Sequence, residues 1–391
     1  MRADEAAQVA ADIRARVPAG ASVAEAVSRI VADVRERGDA AVLELEKRFG
    51  GGGALRVAED DLRDALGALD PAVRRAMEVA AANVEAVARA VLSGDREVVL
   101  PQGQSVVLRE VPVGRAAVYA PGGQAPYPSS VVMGVATARA AGVREIAVCA
   151  SHPVMLAACA LLGVDEVYRM GGAQAVAALA YGTESVRRVD VVVGPGALHA
   201  QEAKRQCSGA VGIDGFAGPS DLVVLASEGA DPALVAADLA AQAEHGEGTL
   251  ATAVWIGAAP AGIEAIEADD AEAALAFAEA FAPEHLQLVG GAAEALAPRV
   301  TRAGCLFVGE SAGTAFGDYV AGSNHVLPTE GAARFASGLN VRHFTRVMAE
   351  VRLGDAAGEL APHGAALARA EGFEAHARSM EARIRKNPAP T

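Results

Sequence analysis

The sequence predicts an α/β protein with two parallel sheets covered by helices, preceded by N-terminal helices and followed by a C-terminal helical tail. After Val98, short apolar runs alternate with helical segments and Gly/Pro loops, which is typical of parallel strands joined by helices. Aromatic residues make up only 4% of the chain, and small side chains suit close packing of helices on sheets. Because 391 residues are too many for one ordinary core, we expect more than one domain.

The first part of the chain is predicted to be helical. Apolar residues recur at helical spacing over 23–49, with one interruption, after which Asp39 is expected to cap the next helix. A second helical stretch covers 60–91. Within it, Asp70 precedes Pro71 in the manner of an N-cap followed by proline, so a new helix is expected to begin there.

Two sets of alternating strands and helices follow, and each set predicts one parallel sheet. In the first set, strands are predicted at 115–119, 145–149, 166–169 and 189–193, with helices at 131–141, 155–162 and 173–181. In the second set, strands are predicted at 222–226, 252–256 and 286–289, with helices at 232–243 and 271–281. A charged amphipathic helix over 361–385 is predicted to close the chain.

Charge and cysteine content argue against several classes of protein. The formal net charge of −15 disfavours binding to nucleic acid or to an anionic membrane surface. The four cysteines are widely spread without a CxxC pair, as is typical of reduced thiols. The chain shows neither an apolar run long enough to span a bilayer nor the apolar core of a signal peptide. We therefore expect a cytoplasmic protein.

Two pairs of residues suggest chemistry. Gln242 and His245 stand three residues apart at the end of a predicted helix, which puts both side chains on one face. They could hold one metal ion together, but a divalent ion would need further ligands from elsewhere in the chain. Glu284 and His285 form a plausible proton-transfer pair, because histidine titrates near neutrality and a nearby carboxylate raises its pKa. Taken alone, a polar surface dipeptide is the alternative.

Other polar residues have ordinary explanations when each is considered alone. Asp318 fits a turn former, and His325 fits a residue that hydrogen-bonds within its loop. Ser220 precedes a strand but lacks the G-x-S-x-G context of a nucleophile. Glu371 and His376 are five residues apart, so they would not share one face of a regular helix and fit a solvated surface.

A glycine turn at 194–196 begins like a dinucleotide fingerprint. Gly194-Pro195-Gly196 follows a predicted strand, but the third glycine of G-x-G-x-x-G is missing. A simple turn between strand and helix is the commoner explanation of such a pattern. The two predicted domains are therefore Rossmann-like but incomplete.

Taken in order, these pieces resemble the histidinol dehydrogenase family. The motifs span almost the whole chain, and their order makes the resemblance specific although each is weak alone. The matching segments are Val118–Gly123 with Tyr127–Ser130, Gly171–Ala175 with Ala180–Thr183, Gly194–Gly196, Ala203–Arg205, Gly212–Asp214, Ala217–Ser220, Gln242–His245, Ala282–Leu286, Gly317–Tyr319, Asn324–Thr329, and Glu371–Phe373 with His376.

The resemblance implies an enzyme that oxidises L-histidinol to L-histidine through L-histidinal, in two hydride transfers to two NAD⁺. It implies His285 as the general base and Glu284 as its partner in activating water. One zinc ion per subunit is implied, with the ligands Gln242, His245, Asp318 and His376. The residues implied to bind the small-molecule substrate are Ser220, Gln242, His245, His285, Asp318, His325, Glu371 and His376, and those implied to contact NAD⁺ are Tyr119 and Gln174.

The resemblance also implies a homodimer with shared active sites, in which the C-terminal segment of one subunit reaches the other. On this basis, residues 1–114 form a helical part that leads into the first α/β domain, and residues 115–218 form the second α/β domain on the NAD side. Residues 219–345 complete the first domain with the metal and catalytic residues. Residues 346–391 form the C-terminal helical tail.

Two departures suggest a divergent member of the family. Where the family carries asparagine after Gly-Pro-Gly, this chain has Ala197, which removes one polar contact to NAD⁺. The segment 246–281 is also shorter than in the family. A related zinc and NAD dehydrogenase of a different amino or polar alcohol is therefore the alternative function, although His325 and Glu371 favour histidinol. A non-catalytic binding protein is disfavoured, because every metal position and the Glu284-His285 pair are retained.

Overall fold

The computed structural model describes residues 1–17, 22–49, 51–120, 122, 126–246 and 248–384, and it confirms the predicted α/β class. The chain forms two compact units, one of residues 1–91 with 113–344 and one of residues 92–112 with 345–391. The first unit contains both parallel sheets. The predicted division at 114, 218 and 345 into domains stays a prediction. No helix in the described part of the chain is long and apolar enough to cross a membrane.

Five helices open the first unit: α1 Ala6–Arg14, α2 Ala24–Arg37, α3 Asp39–Arg48, α4 Glu59–Gly67 and α5 Pro71–Ala90. The predicted cap of α5 is confirmed, since the Asp70 carboxylate accepts hydrogen bonds from two backbone N–H groups of the first turn. The predicted cap at Asp39 is wrong by one residue. Gly38, with φ of +56°, joins α2 to α3, so Asp39 is already helical. Its carboxylate instead accepts hydrogen bonds from the hydroxyls of Thr183 and Ser185.

The first sheet has the order β5-β4-β3-β6-β7, and its strands are parallel. Its central strand β3 is buried along its whole length, because helices cover both faces of the sheet. Following β1 and β2 of the second unit (Arg96–Val99 and Ser105–Pro112), the elements are β3 Arg115–Tyr119, α6 Pro128–Ala140, β4 Glu145–Cys149, α7 Pro153–Leu161, β5 Glu166–Tyr168, α8 Gly172–Tyr181, β6 Val191–Val193, α9 Leu198–Cys207 and β7 Gly212–Ile213.

The second sheet has the order β10-β9-β8-β11-β12, again with parallel strands. Strands β8 and β11 are fully buried, and both begin with a polar residue, Asp221 and His285. The elements are β8 Asp221–Ala226, α10 Pro232–Ala243, β9 Leu250–Ile256, β10 Ile266–Ala268, α11 Ala271–Phe281, β11 His285–Val289, α12 Gly291–Glu294, β12 Cys305–Val308 and α13 Thr314–Tyr319.

The second unit contains an antiparallel sheet that the sequence did not predict. Its order is β1-β2-β13, where β13 is Thr345–Arg352, and β1 and β13 are largely exposed. The predicted single helix over 361–385 is wrong. Two helices, α14 Ala356–Ala370 and α15 Glu374–Glu381, are separated at Gly372, whose φ of +85° ends the first helix. Arg385, the predicted end of that helix, lies outside the described residues.

Candidate active site

The predicted catalytic pair lies at the amino end of β11. His285 is the first residue of this strand, and Glu284 immediately precedes it. The register places His285 opposite Leu222 of β8, so Glu284 lies beside Asp221, where β8 begins. Both side chains are buried, with 6% of Glu284 and 2% of His285 exposed. An acid and a base withdrawn from water in this way are typical of a reaction centre.

Glu284 is held by hydrogen bonds from β8 and the loop before it. The Ser220 hydroxyl donates to Glu284 Oε2 at 2.6 Å, and the Asp221 N–H donates to the same oxygen at 3.1 Å. In return, the Glu284 N–H donates to Asp221 Oδ1 at 2.7 Å. Burial raises the pKa of Glu284 above its ordinary value, although the charge of His285 and the bond from Ser220 oppose the rise. A carboxylate with a raised pKa is a better proton acceptor.

The His285 ring lies between two carboxylates. Its Nδ1 is 3.7 Å from Glu284 Oε2, and its Nε2 is 3.4 Å from Asp318 Oδ1 of α13. Burial opposes protonation of His285, but the hydrogen bond to Asp318 and the charge of Glu284 outweigh it and raise its pKa. Burial acts to raise the pKa of Asp318. The hydrogen bond to His285 and the electrostatic effect of two further imidazole rings outweigh burial and hold that pKa below its usual range. Those two rings belong to His325 and His245.

Gln242 lies in the last turn of α10, whereas His245 lies in the turn that follows the helix, two residues beyond its end. Gln242 is buried, and its amide nitrogen donates to Ser220 Oγ at 2.7 Å. His245 Nδ1 is 3.0 Å from the backbone carbonyl oxygen of Gln242. Because a carbonyl oxygen can only accept, this contact places a proton on Nδ1 and leaves Nε2 of the neutral ring with a free lone pair. A histidine oriented in this way is prepared to bind a metal.

His325 is fixed on both sides of its ring. Its Nδ1 is 2.9 Å from the backbone carbonyl oxygen of Asp318, and its Nε2 is 2.8 Å from the hydroxyl of Ser130 at the start of α6. Burial lowers the pKa of His325, despite the opposing charge of Asp318. The ring is therefore held neutral, with the proton on Nδ1 and with Ser130 donating to Nε2.

Hydrogen bonds and close polar contacts bring together six of the predicted site residues: Ser220, Gln242, Glu284, His285, Asp318 and His325. His245 adjoins them through its contact with the Gln242 backbone, and it lies close enough to Asp318 to affect the pKa of that carboxyl. Glu371 and His376 belong to the second unit. Glu371 directly follows α14, and His376 lies on α15 with its ring 5.2 Å from that of Phe373.

The predicted cofactor residues lie on a strand of the first sheet and on a helix that follows one of its strands, and both are buried. Tyr119 ends β3, and its hydroxyl accepts a hydrogen bond from the Gly172 N–H at 2.8 Å, while burial raises its pKa. Gln174 of α8 donates to Glu46 of α3 at 2.8 Å. β3 and β6 are the strands at which the order of the first sheet reverses, and ligands of α/β proteins commonly bind beyond the carboxyl ends of such strands. Within the motif at 118–123, Pro121 and Gly123 lie outside the described residues.

A buried ion pair stabilises the turn after β6. Lys204 Nζ donates to the Gly194 carbonyl oxygen at 2.6 Å and contacts the Asp214 carboxylate, which also accepts the Gly194 N–H at 2.6 Å. Gly194 has φ of +119°, and a Cβ there would collide with the Tyr119 carbonyl oxygen, so glycine is required. Ala197 is exposed at the N-cap of α9 and supplies no capping hydrogen bond.

Ser130, Asp221 and Glu46 each hold a predicted site residue but were not predicted themselves. Ser130 and Asp221 adjoin or belong to motifs of the resemblance, which was the available signal for both. Glu46 is 128 positions from Gln174, and no local pattern marks such a contact.

Comparison with known proteins gives the chain a family. A family model described as histidinol dehydrogenase matches residues 14–268 and 257–384. The two matches overlap within the segment 246–281, which the sequence predicted to be shorter than in the family. Histidinol dehydrogenase from Thermobifida fusca (strain YX) is 42% identical over 419 positions, covering 96% of this chain and 95% of the relative. That of Rhizobium meliloti (strain 1021) is 42% identical over 397 positions, covering 92% and 91%.

A solved structure agrees with these relatives. The crystal structure of histidinol dehydrogenase from Elizabethkingia anophelis matches with a TM-score of 0.87 at 27% identity, covering 94% of this chain and 93% of that one. A matching family model, full-length relatives and a matching fold all point the same way. The chain belongs to the histidinol dehydrogenase family.

Proposed function

We propose that this protein is a histidinol dehydrogenase, which oxidises L-histidinol to L-histidine through L-histidinal with two NAD⁺ and one zinc ion per subunit. The observation that carries the proposal is the buried Glu284-His285 pair, linked through Ser220 to Gln242 and directly to Asp318. A polar network that contains a potential base and potential metal ligands, in a chain of the histidinol dehydrogenase family, supports the proposal.

The donor set fits zinc. Imidazole nitrogen and carboxylate oxygen are common zinc ligands, and an amide carbonyl oxygen also binds divalent metal ions. The amide nitrogen of Gln242 donates to Ser220, so its amide oxygen is available to bind a metal. Nδ1 of His245 contacts a backbone carbonyl, so its Nε2 is the nitrogen available to the metal. Asp318 is favoured in its ionised form by its lowered pKa. The described residues contain no group of three or more His, Cys, Asp or Glu side chains placed to hold a metal. The resemblance to the family is the basis for assigning His376 as the remaining ligand.

When bound, zinc would act as a Lewis acid that holds the amino and imidazole nitrogens of the substrate and orients its carbinol carbon toward the nicotinamide. His285 accepts the hydroxyl proton as hydride leaves. The raised pKa of His285 makes its neutral form a stronger base.

Glu284 serves the second half of the reaction, in which water must be added to the aldehyde. Its raised pKa suits it to take a proton from that water, and Ser220 fixes the carboxylate with a 2.6 Å hydrogen bond. The neutral ring of His325 and the Glu371 carboxylate are assigned to the polar ends of histidinol. Tyr119 and Gln174 are assigned to NAD⁺.

We propose a cytoplasmic homodimer in which Glu371 and His376 complete the active site of the partner subunit. The second unit supports pairing with another chain, because its strands expose large apolar side chains. Val99 and Val347 are each 70% exposed, and Val351 is 60% exposed. Exposed apolar side chains on these strands favour an interaction surface.

The decisive test is turnover of L-histidinol by the purified, zinc-loaded protein, followed by NADH absorbance. We expect two NADH per L-histidinol and no turnover after zinc is removed by a chelator. A panel of other amino alcohols is assayed in parallel. Turnover of another alcohol without turnover of histidinol would overturn the proposal and establish the alternative, a zinc and NAD dehydrogenase of a different polar alcohol.

A second prediction concerns the cofactor side. Ala197→Asn restores the amide that the family carries at this position, at an exposed N-cap where an asparagine side chain is well tolerated. One added hydrogen bond to NAD⁺ is worth about 0.5–1.5 kcal/mol, so we expect KM for NAD⁺ to fall about 2- to 10-fold. Leu198→Asn, which introduces the same amide at the adjacent exposed position, is the matched control. An unchanged KM in the Ala197 variant, or an equal fall in both, would contradict the prediction.

A further inference from the structure

An ion pair between the partly buried Arg14 and the buried Asp221 adjoins Glu284 and has no part in the reaction described above. Arg14, the last residue of α1, lies with NH1 3.2 Å from Asp221 Oδ2, and only 1% of Asp221 is exposed. We infer that Arg14 and Asp221 are positioning residues that hold the Glu284 carboxylate in its reactive place. This inference rests on the proposed function.

Asp221 holds Glu284 through two hydrogen bonds, one to its carboxylate and one from its backbone N–H. Its carboxylate accepts the Glu284 N–H at 2.7 Å, and its own N–H donates to Glu284 Oε2 at 3.1 Å. Asp221 therefore ties the amino ends of β8 and β11 to each other.

Arg14 holds the chain on the other side of Glu284. Its NH2 and Nε donate to the Phe281 carbonyl oxygen at 2.6 and 3.2 Å, and its guanidinium carbon lies 3.9 Å from the centroid of the Phe281 ring. Phe281 ends α11, three residues before Glu284. One side chain thus joins the end of α11 to the carboxylate of Asp221.

The backbone between these contacts is strained. Ala282, which is buried, has φ of +48°, and Glu330 has φ of +54°. Among the described residues these are the two positions other than glycine with positive φ. Such conformations cost free energy and persist only where the surroundings impose them, commonly at functional sites. Arg14 before Ala282 and Asp221 after it supply that constraint, so loss of either lets the Glu284 turn relax.

The charge of Asp221 also affects the pKa of Glu284. Glu284 faces its neighbour His285 and Asp221 of β8, while Arg14 of α1 faces Asp221 and Asp318 of α13 faces His285. The anionic Asp221 raises the pKa of Glu284, in addition to the larger effect of burial. Removal of the Asp221 charge lowers that pKa, so Glu284 ionises at lower pH.

The experiment compares Asp221→Asn and Arg14→Met with the wild type in the zinc-loaded, full-length protein. Because a small misplacement of a reacting group costs up to about 100-fold in rate, we expect kcat for histidinol to fall about 10- to 100-fold. We expect KM within about two-fold and an unchanged zinc content, since a contact used only in the transition state affects kcat alone. In Asp221→Asn, the acid limb of the kcat profile moves to lower pH.

Arg16→Met is the matched control, because Arg16 is exposed at the same end of α1. Arg14→Lys retains the positive charge but cannot donate to both partners at once, so we expect an intermediate kcat in a protein of near wild-type stability. A folded Asp221→Asn protein with wild-type kcat and an unmoved acid limb overturns the inference, as does wild-type kcat in a folded Arg14→Lys or Arg14→Met protein.

Failure of the proposed function gives a different result. A wild type that does not oxidise histidinol refutes that function before any variant is compared. If Glu284→Gln keeps both its turnover and its acid limb, Glu284 is not a catalytic residue, whatever the Arg14 and Asp221 variants do.

Discussion

His285→Ala should lower kcat for histidinol oxidation by about 10²- to 10⁴-fold, the usual contribution of a positioned general base. His285 is buried at the amino end of β11, and its Nε2 faces Asp318 at 3.4 Å. A water molecule in its place would lack both the fixed position and the raised pKa that Asp318 and Glu284 confer. Stopped-flow measurement of NADH formation with saturating histidinol and NAD⁺ checks the expected loss.

Zinc content separates a base from a ligand. We assign no metal bond to His285, so the alanine variant should retain zinc near the wild-type level. His285→Asn fills more of the buried space and should show the same loss of kcat, which excludes a simple cavity effect. His363→Ala, which removes an exposed histidine of α14, is the control for histidine loss in general. Metal loss in both His285 variants would contradict the assignment.

Lys204→Met should destabilise the protein by about 3–5 kcal/mol, because it leaves the Asp214 carboxylate buried without its countercharge. The side chains of Lys204 and Asp214 are only 2% and 4% exposed. The same ion pair binds both backbone groups of Gly194, so its loss should also loosen the turn after β6 and raise KM for NAD⁺. Chemical unfolding gives the first effect and steady-state kinetics the second.

The double variant Lys204→Met/Asp214→Asn tests the cause. Asparagine can still accept the Gly194 N–H, and a neutral pair carries no unpaired buried charge, so most of the lost stability should return. Arg205→Met, on the next residue of α9, removes a solvent-exposed partner of Glu202 and should have a far smaller effect, since water screens surface ion pairs. Equal destabilisation by the single and double variants would show that the unpaired charge is not responsible.

Much of the fold was accessible from local pattern. The strands at 115–119 and 145–149 and the helices at 232–243 and 271–281 begin and end at the predicted residues. These elements are apolar runs of the right length between turn residues, and burial on both sides leaves little competition for that pattern. Strands β1, β2 and β13 were missed, because exposed or partly exposed strands with mixed polarity lack a hydrophobic pattern.

The site was accessible only in part. The spacing of Gln242 and His245 indicated a shared helix face, and Glu284-His285 indicated a base beside an acid. Neither pattern indicated that Ser220 would join Gln242 to Glu284, since this contact spans 64 positions. Sequence order of motifs identified the family, and the family model and relatives confirm it.

Residue type and spacing thus decide what each segment can form: parallel strands, capped helices, a two-ligand helix face and an acid-base dipeptide. Tertiary structure alone decides which of these groups meet and in what state of charge. Pairing of β8 with β11 buries Glu284 beside Asp221 and raises its pKa, while α13 brings Asp318 to His285. Proton affinity depends on burial and on charges a few ångströms away, and both are properties of the folded chain that neighbouring residues in sequence do not encode.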